Sequence, residues 1–328
     1  MDTPLAVISN PRSQRNRRGA LLALRAILAD HPDVRHDEIG DFDDLGALIV
    51  SLIQSGVEVI AVNGGDGTVQ AVLTELGRRD LKGPAPKLAV LAGGMTNVIA
   101  KDVGFDGSPE KAIRRLLAGL SGDGGGQRLG DVTRPLIGLT LGPSDPPVYG
   151  MFFGAAGFYE AVRLANDRVR SKGIAGNLAS ASTLILAITR LLLGRSGKGD
   201  PLSEGAPLTL AVNGEMEEQQ QSLILIATTL ERLMLGLMPF WNSDGQAIRY
   251  THVACPPQRL ARALLPVLRG RPKTWMRKAG YRSGAADDIS IEIESPVVLD
   301  GEIFRPHPGV PIRLSGNRVQ TFVQSRSA

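Results

Sequence analysis

The first third of the chain repeats one pattern three times: a short apolar run, a polar turn and a stretch with helical spacing of apolar residues. The apolar runs are Leu5–Ser9, Val57–Val62 and Leu88–Leu91. Short apolar runs that alternate with helical stretches indicate buried strands joined by crossover helices, and such connections produce a parallel sheet. The sequence therefore predicts an α/β domain over residues 1–125.

The pattern changes after the glycine-rich run Ser121–Gly126. Short apolar runs separated by turns then predominate, and only Asn177–Leu193 has strong helical spacing. Short strands at irregular spacing are typical of antiparallel sandwiches and barrels, so residues 126–310 are predicted to form a β-rich domain. The predicted strands are Arg134–Leu141, Val148–Phe153, Leu208–Val212, Leu223–Thr228, Ile289–Ile293 and Pro311–Leu314.

Each predicted parallel strand ends in a loop with polar residues: Asn10-Pro11, Gly64–Thr68, and Thr96-Asn97. The carboxyl ends of parallel strands meet at one sheet edge, where open α/β folds bind ligands. Glycines allow close backbone approach, and helix starts offer N–H groups to phosphate. A carboxylate at such a loop is repelled by phosphate unless a cation lies between them, so Asp66 implies Mg²⁺. The simpler alternative is a tight turn in which Asp66 or Thr68 caps a helix.

Several other kinds of site are disfavoured. The turns match neither a P-loop nor a dinucleotide fingerprint, and no GxSxG hydrolase motif occurs. The four histidines have no metal-ligand spacing and are interpreted as structural or surface residues. The single cysteine, Cys255, excludes an internal disulfide and is consistent with a reducing compartment.

Five motifs together resemble the diacylglycerol kinase catalytic-domain family, which includes diacylglycerol, sphingosine and ceramide kinases. Gly64–Thr68 reads GGDGT, a string that NAD kinases and phosphofructokinase-like enzymes share. Leu299–Glu302 reads LDGE, which is similar to the C-terminal motif of the lipid branch. Ser9–Pro11 and Gly94–Asn97 resemble the family's other nucleotide loops, and Ser243–Gly245 resembles its structural Mg²⁺ turn.

The resemblance implies a Rossmann-like, phosphofructokinase-like nucleotide domain followed by an antiparallel β-sandwich, with the tail 311–328 packing back on the first domain. It implies ATP and Mg²⁺ as cofactors, with Asp66 and Asp244 as the metal ligands. Asp66 is also a candidate catalytic residue, and Asp300 or Glu302 would be the general base, although Asp-Gly is also a strong hairpin signal. The residues expected to bind ATP are Asn10, Pro11, Arg12, Gly64, Gly65, Asp66, Gly67, Thr68, Thr96 and Asn97.

The sequence departs from the family pattern at several loop positions. The usual Ser-Gly step after the first Asn-Pro is missing, so Arg12 or Arg15 is expected to grip phosphate there. Ala71, Met95 and Val98 replace other usual residues. The predicted function is therefore a lipid kinase that phosphorylates a primary hydroxyl of a diacylglycerol- or ceramide-type lipid. A ceramide or sphingoid-base kinase, an NAD kinase and a non-catalytic nucleotide- or lipid-binding regulator remain the alternatives.

The net charge and the apolar segments indicate which kinds of binding partner the sequence predicts. With 37 basic and 33 acidic residues the net charge is +4, too small to predict nucleic-acid binding. The segments Leu178–Leu193 and Leu233–Trp241 are interpreted as core or as a lipid-facing surface. The basic residues of Arg269–Arg282 are interpreted as a solvated face or as a surface attracted to phosphates or to an anionic membrane. The N-terminus lacks a signal-peptide pattern. We expect a cytoplasmic enzyme at the inner membrane face with a membrane lipid substrate and possible homodimerisation.

Overall fold

The computed structural model describes residues 4–326 except 82, 106, 122–127, 164–204, 217–218, 234–235 and 243–244. The chain divides into two compact units. The N-terminal unit contains Met1–Arg134 and Val319–Ala328, and the C-terminal unit contains Pro135–Arg318. The divisions fall inside the long strands Arg128–Thr140 and Ile312–Arg326, whereas the sequence predicted a boundary at residue 125.

The N-terminal unit is an α/β domain, as predicted. Its elements are β1 (Leu5–Ser9), an irregular helical turn (Asn16–Ala20), α1 (Leu21–Ala29), β2 (Arg35–Glu38), α2 (Leu45–Gln54), β3 (Val59–Gly64), α3 (Asp66–Gly77), β4 (Lys87–Ala92), α4 (Val98–Val103) and α5 (Pro109–Leu120). The strands pair in parallel in the order β2-β1-β3-β4. Every residue of β1 and β3 is buried, which explains why these strands are continuous apolar runs in the sequence.

Sequence reasoning missed β2 because its four residues, Arg-His-Asp-Glu, are all polar. The strand lies at the sheet edge beside β1, where solvent can reach its side chains. Two ion pairs hold these side chains: Arg35 contacts Asp37 at 2.8 Å, and Arg25 of α1 contacts Glu38 at 2.6 Å. An edge strand without apolar residues gives no period-two hydrophobic signal.

The C-terminal unit is an antiparallel β-rich region, so the predicted fold class is confirmed. Its elements, including the two strands that cross the unit divisions, are β5 (Arg128–Thr140), β6 (Val148–Gly150), β7 (Phe152–Ala156), β8 (Ala206–Val212), β9 (Glu215–Met216), β10 (Gln220–Thr228), β11 (Ile248–Ala254), α6 (Leu260–Leu268), a 3₁₀ turn (Arg277–Ala279), β12 (Tyr281–Ala286), β13 (Asp288–Glu292), β14 (Val297–Leu299), β15 (Glu302–Phe304) and β16 (Ile312–Arg326). Strand β10 pairs antiparallel with β7, β8 and β11, and β13 pairs with β8 and β16.

The last residues of β16 belong to the N-terminal unit. Phe322 lies opposite Leu88 as a parallel neighbour of β4, and its side chain is fully buried. Gln320 Nε2 donates a hydrogen bond to the Pro86 carbonyl over 2.8 Å. The tail therefore extends the parallel sheet by one strand that comes from the far end of the chain.

The structure describes most of one of the two apolar segments identified in the sequence and none of the predicted helix in the other. Phe240 and Trp241 are buried in a core cluster with Val267 and Tyr281, so the end of Leu233–Trp241 is core. The predicted helix Asn177–Leu193 lies outside the described residues. Among the helices that the structure describes, none is long and apolar enough to span a bilayer.

One histidine is sealed inside the C-terminal unit. His252 on β11 is fully buried, and its Nε2 lies 2.7 Å from the Ser222 hydroxyl on β10. Burial, assisted by the positive charge of Arg282, lowers the pKa of His252 to about 4. The interpretation of this histidine as structural agrees with that environment.

Because the unfolded chain protonates His252 near pH 6.5 and the folded chain only near pH 4, this residue makes stability fall as the pH decreases through that window. The loss approaches about 3 kcal/mol at the acidic end. We expect His252→Gln to flatten the dependence in urea denaturation between pH 7 and pH 4.5, with His31→Gln as the control. An unchanged slope in His252→Gln would contradict the assignment.

Candidate functional site

Three loops lie side by side at the carboxyl edge of the parallel sheet in the N-terminal unit. They follow β1, β3 and β4, and β3 pairs with both of the other strands. Loop 1 begins at Asn10, loop 2 is Gly65 with the start of α3, and loop 3 is Gly93–Asn97. The edge chosen from the sequence pattern is the edge where these residues meet.

Loops 2 and 3 touch through their backbones. Gly93 N donates to the Gly64 carbonyl over 2.9 Å. A Cβ added to Gly94 would lie 2.4 Å from Gly65 Cα, and one added to Gly64 would lie 2.5 Å from Thr68 Cβ. Because real Cβ atoms do not approach so closely, contact between loops 2 and 3 requires glycine at position 94, and contact with the Thr68 side chain of α3 requires glycine at position 64.

Asp66 links loop 2 to loop 3. Its Oδ2 accepts hydrogen bonds from Thr96 Oγ1 at 2.6 Å and from Val98 N at 3.1 Å, and its Oδ1 accepts one from Ile99 N at 3.1 Å. The carboxylate therefore caps the amino end of α4. The sequence suggested that Asp66 could cap a helix, but the natural candidate was its own helix α3, and the structure shows that the capped helix is α4.

Two opposing influences act on the Asp66 carboxyl group. Burial raises the pKa of Asp66 above its usual value, and the three hydrogen bonds only partly offset that effect. A carboxylate offers about four acceptor positions, so three hydrogen bonds leave one. Asp66 can therefore still accept a divalent cation, provided that most other ligands are supplied by water or a bound phosphate, which is the usual binding mode of Mg²⁺.

The other polar side chains predicted in the loops also bind one another. Asn10 Nδ2 donates to Thr68 Oγ1 at 2.9 Å, and Asn10 Oδ1 accepts from Arg12 N at 2.9 Å. Asn97, with a left-handed φ of 49°, folds back on its own loop: its Oδ1 accepts from Gly94 N at 2.8 Å and its Nδ2 donates to Gly94 O at 2.9 Å. These side chains build the loops, which leaves mainly backbone groups to face a ligand.

Two buried asparagines complete this network, and sequence reasoning missed both. Asn16 Nδ2 donates to the carbonyls of Asn10 and Asn63 at 2.7 and 3.1 Å. Asn63 Nδ2 donates to Ser9 Oγ at 3.1 Å. Asn63 could have been noticed because it directly precedes the GGDGT string. Asn16 has no sequence signal, since its partner Asn63 is 47 positions away.

The two arginines proposed for loop 1 have different surroundings. Arg15 Nη1 donates to the Gly107 carbonyl at 2.9 Å, so its guanidinium is tied to the connection between α4 and α5. Arg12 is exposed, and its side chain makes no hydrogen bond or ion pair with the described residues. Of the two, Arg12 is therefore the one available to a ligand.

The LDGE motif forms a tight hairpin in the C-terminal unit. Leu299 of β14 is paired with Glu302 of β15, and the two residues between them have positive φ, 49° for Asp300 and 93° for Gly301. Positive φ at both turn positions is the type I′ geometry that Asp-Gly favours. The sequence interpretation of this motif as a hairpin turn is therefore correct.

The hairpin separates the two candidate bases. The Asp300 carboxylate accepts hydrogen bonds from Met151 N and Phe152 N, each at 2.9 Å, so both its oxygens are used to join the turn to β7. The Glu302 side chain is exposed and makes no hydrogen bond or ion pair with the described residues. The geometry therefore makes Asp300 a positioning residue and leaves Glu302 free for chemistry.

The predicted metal ligand Asp244 lies outside the described residues. Within the part of the chain that the structure describes, no group of three or more His, Cys, Asp or Glu side chains is arranged to hold a metal ion. Asp66 is therefore the one predicted metal ligand whose surroundings the structure shows.

Residues 4–123 match the family model of the diacylglycerol kinase catalytic domain. Over these residues the chain is similar to that domain. The match covers all three loops and confirms the resemblance inferred from the sequence motifs. A kinase assignment follows at the level of the family, together with ATP and a divalent metal ion as the general requirements of such an enzyme.

Solved structures extend the likeness to nearly the whole chain. A Bacillus anthracis structure provisionally described as a diacylglycerol kinase has 18% identity and a TM-score of 0.64, covering 98% of this chain and 96% of its own. A further Bacillus anthracis diacylglycerol kinase has 16% identity and a TM-score of 0.60, with coverage of 98% and 96%. At these identities the likeness shows the fold. Comparison with curated proteins gives no match.

We expect Asp66→Ala to lower the free energy of unfolding by at least about 4.5 kcal/mol, because hydrogen bonds to a charged group contribute about 1.5–3 kcal/mol each and three are lost. Thr96→Val removes one of the three and should cost about a third as much. Urea denaturation of both variants measures the difference. Wild-type stability in Asp66→Ala would show that the carboxylate does not hold loop 3.

Proposed function

We propose that the protein is an ATP-dependent lipid kinase that transfers the γ-phosphate to the primary hydroxyl of a diacylglycerol- or ceramide-type lipid. The observation that carries the proposal is the connected set of three loops at the carboxyl edge of the parallel sheet, within the residues that match the kinase family. The loops are joined by hydrogen bonds among their own residues, and phosphoryl transfer requires such preorganisation.

The nucleotide phosphates would bind at the amino end of α3. The helix is twelve residues long and begins at Asp66, so the N–H groups of Asp66 and Gly67 lie in its first turn, where helices have no internal acceptors. Its dipole favours an anion at that end. The exposed Arg12 side chain would add a positive charge from loop 1.

A divalent cation fits beside this phosphate site. Asp66 retains one acceptor position and is half-buried, so it can bind Mg²⁺ directly or through water while loop 3 keeps its orientation fixed. The cation would neutralise charge on the transferred phosphoryl group. Asp244 remains a proposed ligand of a structural Mg²⁺.

Glu302 is the proposed general base, and Asp300 is the residue that positions it. The type I′ turn fixes the backbone between them, and the Asp300 carboxylate fastens that turn to Met151 and Phe152. A free carboxylate at this place can orient the acceptor hydroxyl and take its proton, an effect worth about 10²–10⁴-fold in rate.

The lipid acceptor, rather than a soluble one, is proposed from the LDGE motif together with the family match. Two of the structures that resemble this chain over nearly its whole length are described as diacylglycerol kinases, one of them provisionally. Peripheral location at the inner face of the membrane and homodimerisation are proposals that accompany this function. The activity assay does not depend on either of these two proposals.

The test is ATP-dependent labelling of diacylglycerol, ceramide and sphingosine presented in neutral detergent micelles, with NAD as the soluble acceptor. Labelling of one lipid supports the proposal and identifies the branch. Labelling of NAD alone contradicts it, and ATP binding without labelling of any acceptor favours a regulator.

In the same assay we expect Glu302→Gln to lower kcat by about 10²–10⁴-fold with little change in stability. Glu294→Gln makes the same chemical change at another exposed position of this unit and should retain activity. Asp300→Asn should lower stability as well as rate, because an amide cannot accept both backbone hydrogen bonds. Full activity of Glu302→Gln would exclude it as the base.

A further inference from the structure

The charge of this protein is distributed very unevenly. Residues 245–286 contain nine basic and no acidic residues, so the remaining chain has 28 basic against 33 acidic residues and a net charge of −5. The whole segment is described and lies in the C-terminal unit. The basic residues are Arg249, Arg259, Arg262, Arg269, Arg271, Lys273, Arg277, Lys278 and Arg282.

Part of this segment lines an open groove of about 1000 Å³. Its walls include four cationic side chains, and no carboxylate is present among the described residues that line it. We call this the basic groove and define its cationic members as Lys273, Arg277, Lys278 and Arg282. Its floor includes the buried side chains of Trp241, Met276 and Tyr281.

Among the described residues, three of the four cations have no counter-charge. The side chains of Lys273, Arg277 and Lys278 are exposed and make no ion pair or hydrogen bond with the described residues. Some other surface cations are paired, such as Lys87 with Asp131 at 2.6 Å and Arg163 with Glu160 at 2.8 Å. Uncompensated like charges around one concave surface repel one another and are relieved by a bound anion.

Polar groups in the floor of the groove are held by hydrogen bonds within the protein. Ser283 Oγ accepts from Trp241 N at 3.0 Å and donates to Tyr250 O at 2.7 Å, and Tyr281 OH donates to Gln258 O at 2.8 Å. The Arg259 guanidinium lies 5.6 Å from the Trp275 ring centroid. With Trp241 and Tyr281 buried, their rings are not available for the base stacking by which proteins bind single-stranded nucleic acids.

The helix α6, which precedes the groove in the chain, has a surface suited to a lipid interface. Ala263 and Val267 pack into the same core cluster as Trp241 and Tyr281, so the helix and the groove floor share one rigid support. On the outside, Leu265 is 54% exposed. Arg262 and Arg269, three and four positions away, are also exposed. An apolar residue between cations on a surface helix is typical of helices that lie in the membrane interface.

We propose that the basic groove binds the phosphate headgroups of an anionic phospholipid surface, with Leu265 entering the interface beside it. Phosphate oxygens supply the negative charge that Lys273, Arg277 and Lys278 lack. The remainder of the chain is net negative and is repelled by the same surface, so the attraction orients the protein with this face toward the lipid. This site is separate from the loops and from the LDGE hairpin on which the proposed kinase activity depends.

The test is co-sedimentation of the full chain with phosphatidylcholine vesicles that contain or lack 30% phosphatidylglycerol, without nucleotide or acceptor. The test variant Lys273→Glu/Arg277→Glu/Lys278→Glu changes the groove. The control Lys111→Glu/Arg114→Glu/Arg128→Glu makes the same change of net charge at exposed positions of the N-terminal unit. Each cation near an anionic surface contributes about 1 kcal/mol, so the groove variant should bind about 100-fold more weakly or worse.

A second pair of variants tests the apolar contact. Leu265→Ser should weaken vesicle binding several-fold, whereas Leu22→Ser, which alters a leucine that is 69% exposed on α1, should not. Binding should also weaken as salt rises from 0.1 to 0.5 M, because exposed charges are screened.

Loss of binding in the groove variant, together with retained binding in its control, supports the proposal. Equal binding by both charge variants overturns it, as does binding to a DNA duplex or RNA strand in preference to the vesicles. Competition by inorganic phosphate at low millimolar concentration would identify a site for free phosphate and would also overturn the lipid assignment. Because kinase activity is assayed separately in neutral micelles, failure of this proposal is distinguishable from failure of the kinase proposal.

Discussion

The candidate site depends on one carboxylate that joins two loops. Asp66 leaves the end of β3, but three hydrogen bonds tie it to Thr96, Val98 and Ile99 in the loop and helix after β4. Those bonds hold the two loops in backbone contact, and the contact in turn excludes any side chain at Gly94. The GGDGT string therefore serves first to pack two loops against each other. Its use as a phosphate site follows from the geometry that this packing creates.

In both units, one acidic residue of a motif accepts hydrogen bonds that hold the surrounding backbone in place. Asp66 fixes the amino end of α4, while Asp300 fixes the LDGE turn and leaves the Glu302 side chain without a partner among the described residues. A motif carboxylate that accepts backbone hydrogen bonds through both oxygens positions its neighbours, and a motif carboxylate without such partners is the better candidate for proton transfer.

The charge distribution adds a feature that net charge conceals. A total of +4 suggests a nearly neutral protein, yet it is the sum of a strongly basic segment and an acidic remainder. The basic segment gathers around one groove three cations that have no ion pair with the residues that the structure describes. Such separation acts over distance and so orients the whole molecule before contact.

The sequence by itself determined the fold class, the buried strands β1, β3 and β4, and the loops that follow them, because continuous apolar runs and glycine-rich turns are local signals. It also determined the hairpin at Asp300-Gly301, whose turn type depends on two residues. Only the tertiary structure decided that Asp66 caps α4, that Asn16 and Asn63 connect the loops, and that Glu302 rather than Asp300 is free. The tertiary structure also decided the pairing of the edge strand β2 and the assembly of the basic groove. In each of these cases the decisive partner lies far away in the chain or is solvent, and no pattern within a local window can identify it.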